Sequence, residues 1–193
     1  MSAEKIKLVA ADQFSQYGFH DASLADIAEQ VGIKKPSIYA HFKSKKDLFL
    51  HVLEDSYLAE LEFFSTYFQQ TSDLELEEQL RRLITYMITR YHEEVSFRFW
   101  LRSGFFPPQE LYDVVMERFY AYLDNCESII TDIFHQHLQD RPANELDAEE
   151  AGIAFIGLLD SLFIEMQYGG LDRARRRVDA SLEVFFRGMK AQA

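Results

Sequence analysis

Residues 23–48 read SLADIAEQVGIKKPSIYAHFKSKKDL, and the local rules of helix formation divide this stretch into three pieces. Ser23 stands before Leu24, Ile27, Ala28 and Val31, apolar residues at helical spacing, with Asp26 in the first turn, so a hydroxyl-capped helix opens here. Gly32 ends it. A very short helix is expected from about Lys35 to His41, with Pro36 near its first turn, where a missing N–H costs little. Ser44 and Asp47 resemble a capping box, with Asp in place of the usual Glu, and start a long helix carrying Leu48, Phe49, Val52 and Leu53 toward residue 69. The two short helices, joined by a tight Gly-containing turn and fixed by Leu24, Ile27, Ala28, Val31, Ile33, Ile38 and Phe42, form a helix-turn-helix candidate. In such a unit the second helix enters the DNA major groove, and the exposed residues are Lys34, Lys35, Ser37, Tyr39 and His41.

Working outward, Ile6, Val9, Ala10, Phe14 and Tyr17 recur at helical spacing, and Gly18 follows as a stop. Leu76, Leu80, Leu83, Met87 and Tyr91 mark a further long helix, and residues 97–103 a shorter one. The turn from Gly104 to Pro108 separates that from a helix over about 109–138. After a loop containing Pro142 come helices near 147–168 and 171–190, divided by Gly169 and Gly170. No stretch alternates with period two for long enough to make a sheet, so an all-α chain of about nine helices is expected. The functional division is expected near residue 46, with a small helix-turn-helix domain over 1–46 and a larger domain over 47–193.

The composition, with 48% hydrophobic residues and 17 Phe and 10 Tyr among 193 residues, excludes a disordered chain and leaves aromatic side chains whose use must be explained. The net charge of −12 argues against nucleic acid, but the distribution reverses that impression. Residues 1–51 carry seven Lys against six acids, which leaves 13 basic and 26 acidic groups for the rest of the chain. Between Lys34 and Lys46 lie five Lys and no acid, the local cluster that phosphate contacts need. The N-terminus lacks the pattern of a signal peptide, and no uninterrupted apolar run reaches membrane-spanning length, so a cytoplasmic protein without membrane contact is expected. The single cysteine, Cys126, offers neither an internal disulfide nor a zinc framework.

The run from Ser23 to Leu48 resembles the DNA-binding signature of the tetracycline-repressor (TetR) family, and the resemblance spans about residues 6–50. It implies an all-α dimer with a small DNA-binding domain, a larger divergent ligand-binding domain, and repression of palindromic operators relieved by a ligand. By position, Tyr39 and His41 match the family's contacts to phosphate, and Lys45 its phosphate-binding lysine at the start of the fourth helix. Lys35, Pro36 and Ser37 match the residues that face bases or sugar-phosphate, and Ser23 belongs to the same contact set. Lys34 stands where many members have Ser or Thr. A lysine cannot cap the recognition helix as a hydroxyl does, but it can approach phosphate as a point charge.

Beyond residue 55 only pattern remains. Aromatics crowd the middle of the chain, and rigid rings line apolar pockets well. A small apolar or amphipathic effector is therefore expected, bordered by Tyr86, Phe97, Trp100, Phe119, Tyr122, Phe155 and Leu159. Arg90, Arg98 and Arg102 suit an anionic head on such a ligand, whereas the acidic domain and its rings suit a cation. No catalytic motif, phosphate loop or metal-ligand set appears, so neither enzyme activity nor a cofactor is expected. The rival reading is a helical DNA-binding or adaptor module without small-molecule response. A homodimer is expected through the last two helices, because Phe155, Ile156, Leu159, Leu162, Phe163 and Met166 with Leu182, Val184, Phe185, Phe186 and Met189 exceed what one helix pair can bury.

Overall fold

The computed structural model describes residues 2–138 and 147–190, and among them nine α-helices and no strand. They are α1 (Ala3–Asp21), α2 (Leu24–Val31), α3 (Lys35–Ile38), α4 (Lys45–Gln70), α5 (Leu76–Glu93), α6 (Val95–Phe105), α7 (Tyr112–Leu138), α8 (Ala148–Tyr168) and α9 (Leu171–Lys190), with a short 3-10 turn at Gln109–Leu111 before α7. The all-α expectation holds. Several boundaries differ. α3 stops at Ile38 rather than His41, because the N–H groups of His41 and Phe42 both turn back onto the Ile38 carbonyl and close the helix. α6 starts earlier, at Val95.

The chain packs as two compact units, one of residues 1–61 with 90–121 and the other of residues 62–89 with 122–193. This packing division is a separate matter from the functional division expected near residue 46.

The first unit has an aromatic centre. The Phe49 ring of α4 lies 5.1 Å from Phe14 and 5.2 Å from Phe19 of α1, and 5.2 Å from Phe99 of α6, so one ring ties three helices together. Gly104 lets α6 approach α7: a Cβ there would land inside the Phe119 ring, which is held between Trp100 at 5.6 Å and Phe105 at 5.8 Å. The same unit buries an ion pair. Arg90 of α5 gives two N–H bonds to the Glu60 carboxylate of α4, at 2.6 and 2.9 Å, and a third to Glu94, while its guanidinium lies 4.5 Å above the Phe97 ring. Burial works against the Arg90 charge, but the Glu60 and Glu94 carboxylates outweigh it and hold Arg90 firmly protonated.

In the second unit the apolar stripe of α5, Leu76, Leu80, Leu83, Ile84 and Met87, is buried, as is Tyr122 of α7 against Phe64 of α4. Phe155 of α8 packs with Phe134 of α7 and Phe185 of α9. Glu165 of α8 accepts bonds from Arg173 and Arg177 and so closes the corner between α8 and α9. The residues expected to form a dimer interface need correction here. Phe155, Leu159, Leu162, Phe163, Met166, Leu182, Phe186 and Met189 are consumed by the chain's own core. Val184, of the expected set, does face outward, and so do Ile153, Ile164 and Tyr168, which lie outside that set. α8 is apolar enough, by length and composition alone, to cross a membrane, because apolar residues occupy its outer side as well as its buried one.

Candidate nucleic-acid interface

The helix-turn-helix is built by its caps. Ser23 Oγ accepts the Ala25 N–H at 3.1 Å, which satisfies one open donor of α2 and leaves the hydroxyl proton available to an incoming acceptor. Gly32 ends α2 with φ 81°, a left-handed turn that turns the chain toward α3 without a side-chain penalty. Its N–H and that of Ile33 close onto Glu29 and Ala28. Leu24, Ile27, Ala28, Val31, Ile38 and Phe42 are all buried and set the angle between the two helices. At the far side, Asp47 N–H donates to Ser44 Oγ at 3.0 Å, while the Asp47 carboxylate accepts from the Lys43 N–H at 2.7 Å. Ser44 thus caps the helix as expected, while Asp47 accepts from the Lys43 N–H rather than from that of the cap residue Ser44, so the capping box is present in modified form.

The exposed side of this unit carries the expected residues. Lys34, Lys35, Pro36, Ser37 and His41 are exposed, and Tyr39 is 51% exposed despite its large ring. Lys34 occupies the cap position of α3 with extended backbone and makes no side-chain cap bond, so its ammonium is left to solvent or to a phosphate. Lys45 behaves differently. Its ammonium donates to the carbonyls of His20 (2.9 Å) and Ala22 (3.0 Å) and sits 4.8 Å over the Phe19 ring. It pins the end of α1 to the start of α4, and one of its three N–H groups remains for a phosphate. Lys5 caps the end of α2 through the Val31 carbonyl, and Lys7 pairs with Glu4 and Asp55. Lys43 and Lys46 are exposed and extend the positive surface beyond the residues singled out by motif.

The bacterial regulatory proteins of the tetR family match residues 8–52 of this chain. The chain carries a TetR-family DNA-binding domain. RutR of Escherichia coli (strain K12), an HTH-type transcriptional regulator, is 41% identical over 69 residues, 33% of this chain and 32% of RutR. The matches to curated relatives cover about a quarter to a third of those proteins' length, so the sequence likeness concerns the TetR-type domain. The fold likeness extends further. A TetR-family regulator from Agrobacterium tumefaciens superposes with a TM-score of 0.73 at 20% identity, covering 94% of this chain and 95% of that one. The regulator FadR of Bacillus subtilis, solved with stearoyl-CoA, gives 0.66 at 18% identity, covering 97% and 99%. The helices behind the TetR-type domain therefore share the TetR regulator fold.

The seven expected effector-lining residues are divided between the two compact units. Phe97, Trp100 and Phe119 are buried in the first compact unit, whereas Tyr122, Phe155 and Leu159 are buried in the second. Tyr86 is 45% exposed. It stacks on Phe63 and Tyr67 along an open groove between α4 and α5. Two of the three arginines considered for an anionic head are engaged. Arg90 is spent on Glu60 and Glu94, and Arg98 donates to the carbonyls of Tyr91 and His92. Only the Arg90–Glu94 pair has a spacing that signals it, because the Arg90–Glu60 and Lys45–His20 partners lie 30 and 25 residues apart.

Proposed function

We propose that the protein is a homodimeric transcriptional regulator, a repressor that binds a near-palindromic operator in the cytoplasm and leaves it when a small apolar or amphipathic ligand binds the region after residue 46. The observation that carries this reading is the joint exposure of Lys34, Lys35, Ser37, Tyr39 and His41 on a capped helix-turn-helix. Ser23, Lys34, Tyr39, His41 and the spare N–H of Lys45 take phosphates. Lys35, Pro36 and Ser37 face the groove, where a good base contact discriminates by about 1–3 kcal/mol. The stearoyl-CoA bound by FadR supports ligand binding within this fold.

Signal transfer in this reading runs through α6. Phe99 lies 6.1 Å from Phe14 of α1, Arg98 lies 4.0 Å from Asp12, and Arg102 abuts Gly18, so α6 is braced against the helix that carries the DNA-binding domain. A ligand that prefers one α6 position by about 2.7 kcal/mol changes operator affinity 100-fold. Binding to the DNA upstream of its own gene, followed by gel shift across a panel of apolar compounds, tests the reading. Specific retardation abolished in Tyr39→Ala and relieved by a compound that also shifts Trp100 emission is expected. Equal affinity for unrelated DNA, with no compound acting, would instead favour a helical DNA-binding module without small-molecule response.

A further inference from the structure

A cavity of about 170 Å³ lies between α1, α4 and the first turn of α6, within the first compact unit. Leu8, Ala11 and Val52 supply its apolar wall. Its charged groups are paired with one another, since Lys7 binds Glu4 at 2.8 Å and Asp55 at 2.5 Å. Two hydroxyls remain for a ligand. Ser56 of α4 is only 3% exposed, yet it lines the cavity and has no hydrogen-bond partner among the described residues. Helical hydroxyls elsewhere in the chain, those of Thr71, Thr85 and Thr89, return their protons to the carbonyl four residues back. Ser96 of α6 lines the same cavity and is likewise without a partner among the described residues. It is the second residue of a helix whose cap, Glu94, makes no side-chain bond to the first turn, so the positive end of α6 is open beside it.

A buried hydroxyl without a partner costs free energy until a ligand supplies one. We infer that this cavity binds a small uncharged amide, whose carbonyl oxygen accepts from Ser56 and Ser96 and whose short apolar body rests on Ala11 and Val52. The open end of α6 favours an acceptor and repels a cation, while the Glu4 and Asp55 carboxylates outnumber Lys7 and repel an anion. A neutral acceptor suits both. Such an occupant touches α1 and α4, which frame the TetR-type domain, together with α6, and so bears on the contact between α1 and α6. Only that regulatory consequence rests on the proposed function; binding itself needs no DNA.

Butanamide, butanoate and butylammonium, which share one apolar body, are the probes. In methyl spectra of the full chain, butanamide should shift Leu8, Ala11 and Val52 saturably, with the millimolar Kd of so small a ligand, and should bind at least about tenfold more tightly than either ion. Ser56→Ala removes a hydroxyl that the fold leaves unpaired. It should weaken butanamide about fivefold, in a chain whose urea midpoint is no lower than the parent's. Ser96→Ala, at a partly exposed position, should weaken butanamide to a similar degree. Either ion binding as tightly as the amide, amide binding indifferent to both serine variants, methyl shifts confined to other residues, or no saturable shift at all would each overturn the inference. Saturation without a change in operator affinity would leave the site standing and remove it from the regulatory reading.

Discussion

Lys45 has two roles competing for one ammonium group. The motif assigns it to phosphate, yet two of its three N–H groups already close the end of α1 onto α4 through His20 and Ala22. Lys45→Ala should therefore lower the unfolding free energy by about 1 kcal/mol, the worth of charge-assisted bonds discounted for partial exposure. It should also flatten the slope of log operator affinity against log salt by no more than about one. Urea titration and salt-dependent gel shifts separate the two effects, and an unchanged salt slope alongside lost stability would make Lys45 purely a staple. Arg90 and Glu60 follow a different rule, since both are almost fully buried. Removing one partner strands a buried charge, so Arg90→Met should cost about 3–5 kcal/mol. Arg90→Met with Glu60→Leu should recover most of that loss in the same urea titration. A double variant no more stable than Arg90→Met alone would show that the pair contributes more than mutual neutralisation.

Among elements, those that sequence reading found most surely are the ones governed by local rules. Ser23 and Gly32 bracket α2, Pro36 opens α3, and Ser44 with Asp47 starts α4, all through contacts within four residues. The periodic α5 was equally legible, because a stripe such as Leu76, Leu80, Leu83 and Met87 needs only a core on one side. The exposed residues of the helix-turn-helix could be named for the same reason. An aromatic list, by contrast, does not say which rings share a unit, and Trp100 and Phe155 fall in different ones. Junctions between elements were also hidden. Tyr67 of α4 donates its hydroxyl proton to the Gln79 carbonyl of α5 at 2.7 Å, and burial, foremost among its causes, raises the phenol from 10.0 to about 12. A group raised in the folded state contributes fully below its unfolded pKa and loses that contribution as pH climbs through the folded value. Stability should therefore fall between pH 10 and about 12 as the unfolded chain ionises Tyr67 first. Tyr67→Phe should be less stable at neutral pH but decline less steeply across that window, as urea midpoints at both ends would show. An identical alkaline slope in the variant would assign the decline to other groups.

For the whole molecule, the decisive surface is the outer side of α8 and α9. Ile153, Gly157, Ser161, Ile164 and Tyr168 recur at helical spacing along α8, and Ser181, Val184 and Gly188 along α9, all of them exposed. A Cβ added at Gly157 or Gly188 would meet nothing within 4 Å, so neither glycine is needed for packing within the chain. Small residues between exposed Ile, Val and Tyr are what close helix approach requires, and a stable interface needs about 1,200–2,000 Å². Two copies joined across these helices make a four-helix interface with a two-fold axis, in which each stripe meets its own counterpart. A regulator that reads a near-palindrome needs its two recognition helices about 34–36 Å apart, the spacing of successive major grooves on one DNA face. A charge placed on the stripe is then repeated across the axis, and Val184→Arg brings two unpaired cations together in an apolar contact. Light scattering at micromolar concentration should give a dimer mass for the parent and a monomer mass for Val184→Arg, with circular dichroism unchanged, because Val184 contributes nothing to the buried core. Operator affinity should fall at least about 100-fold in the same variant, as one half-site contact set is lost. Gly157→Leu, which adds bulk without charge, should weaken the dimer through the same axis. If both variants stay dimeric and bind operator as the parent does, the chain pairs through another face, and the apolar outer side of α8 must serve a different partner.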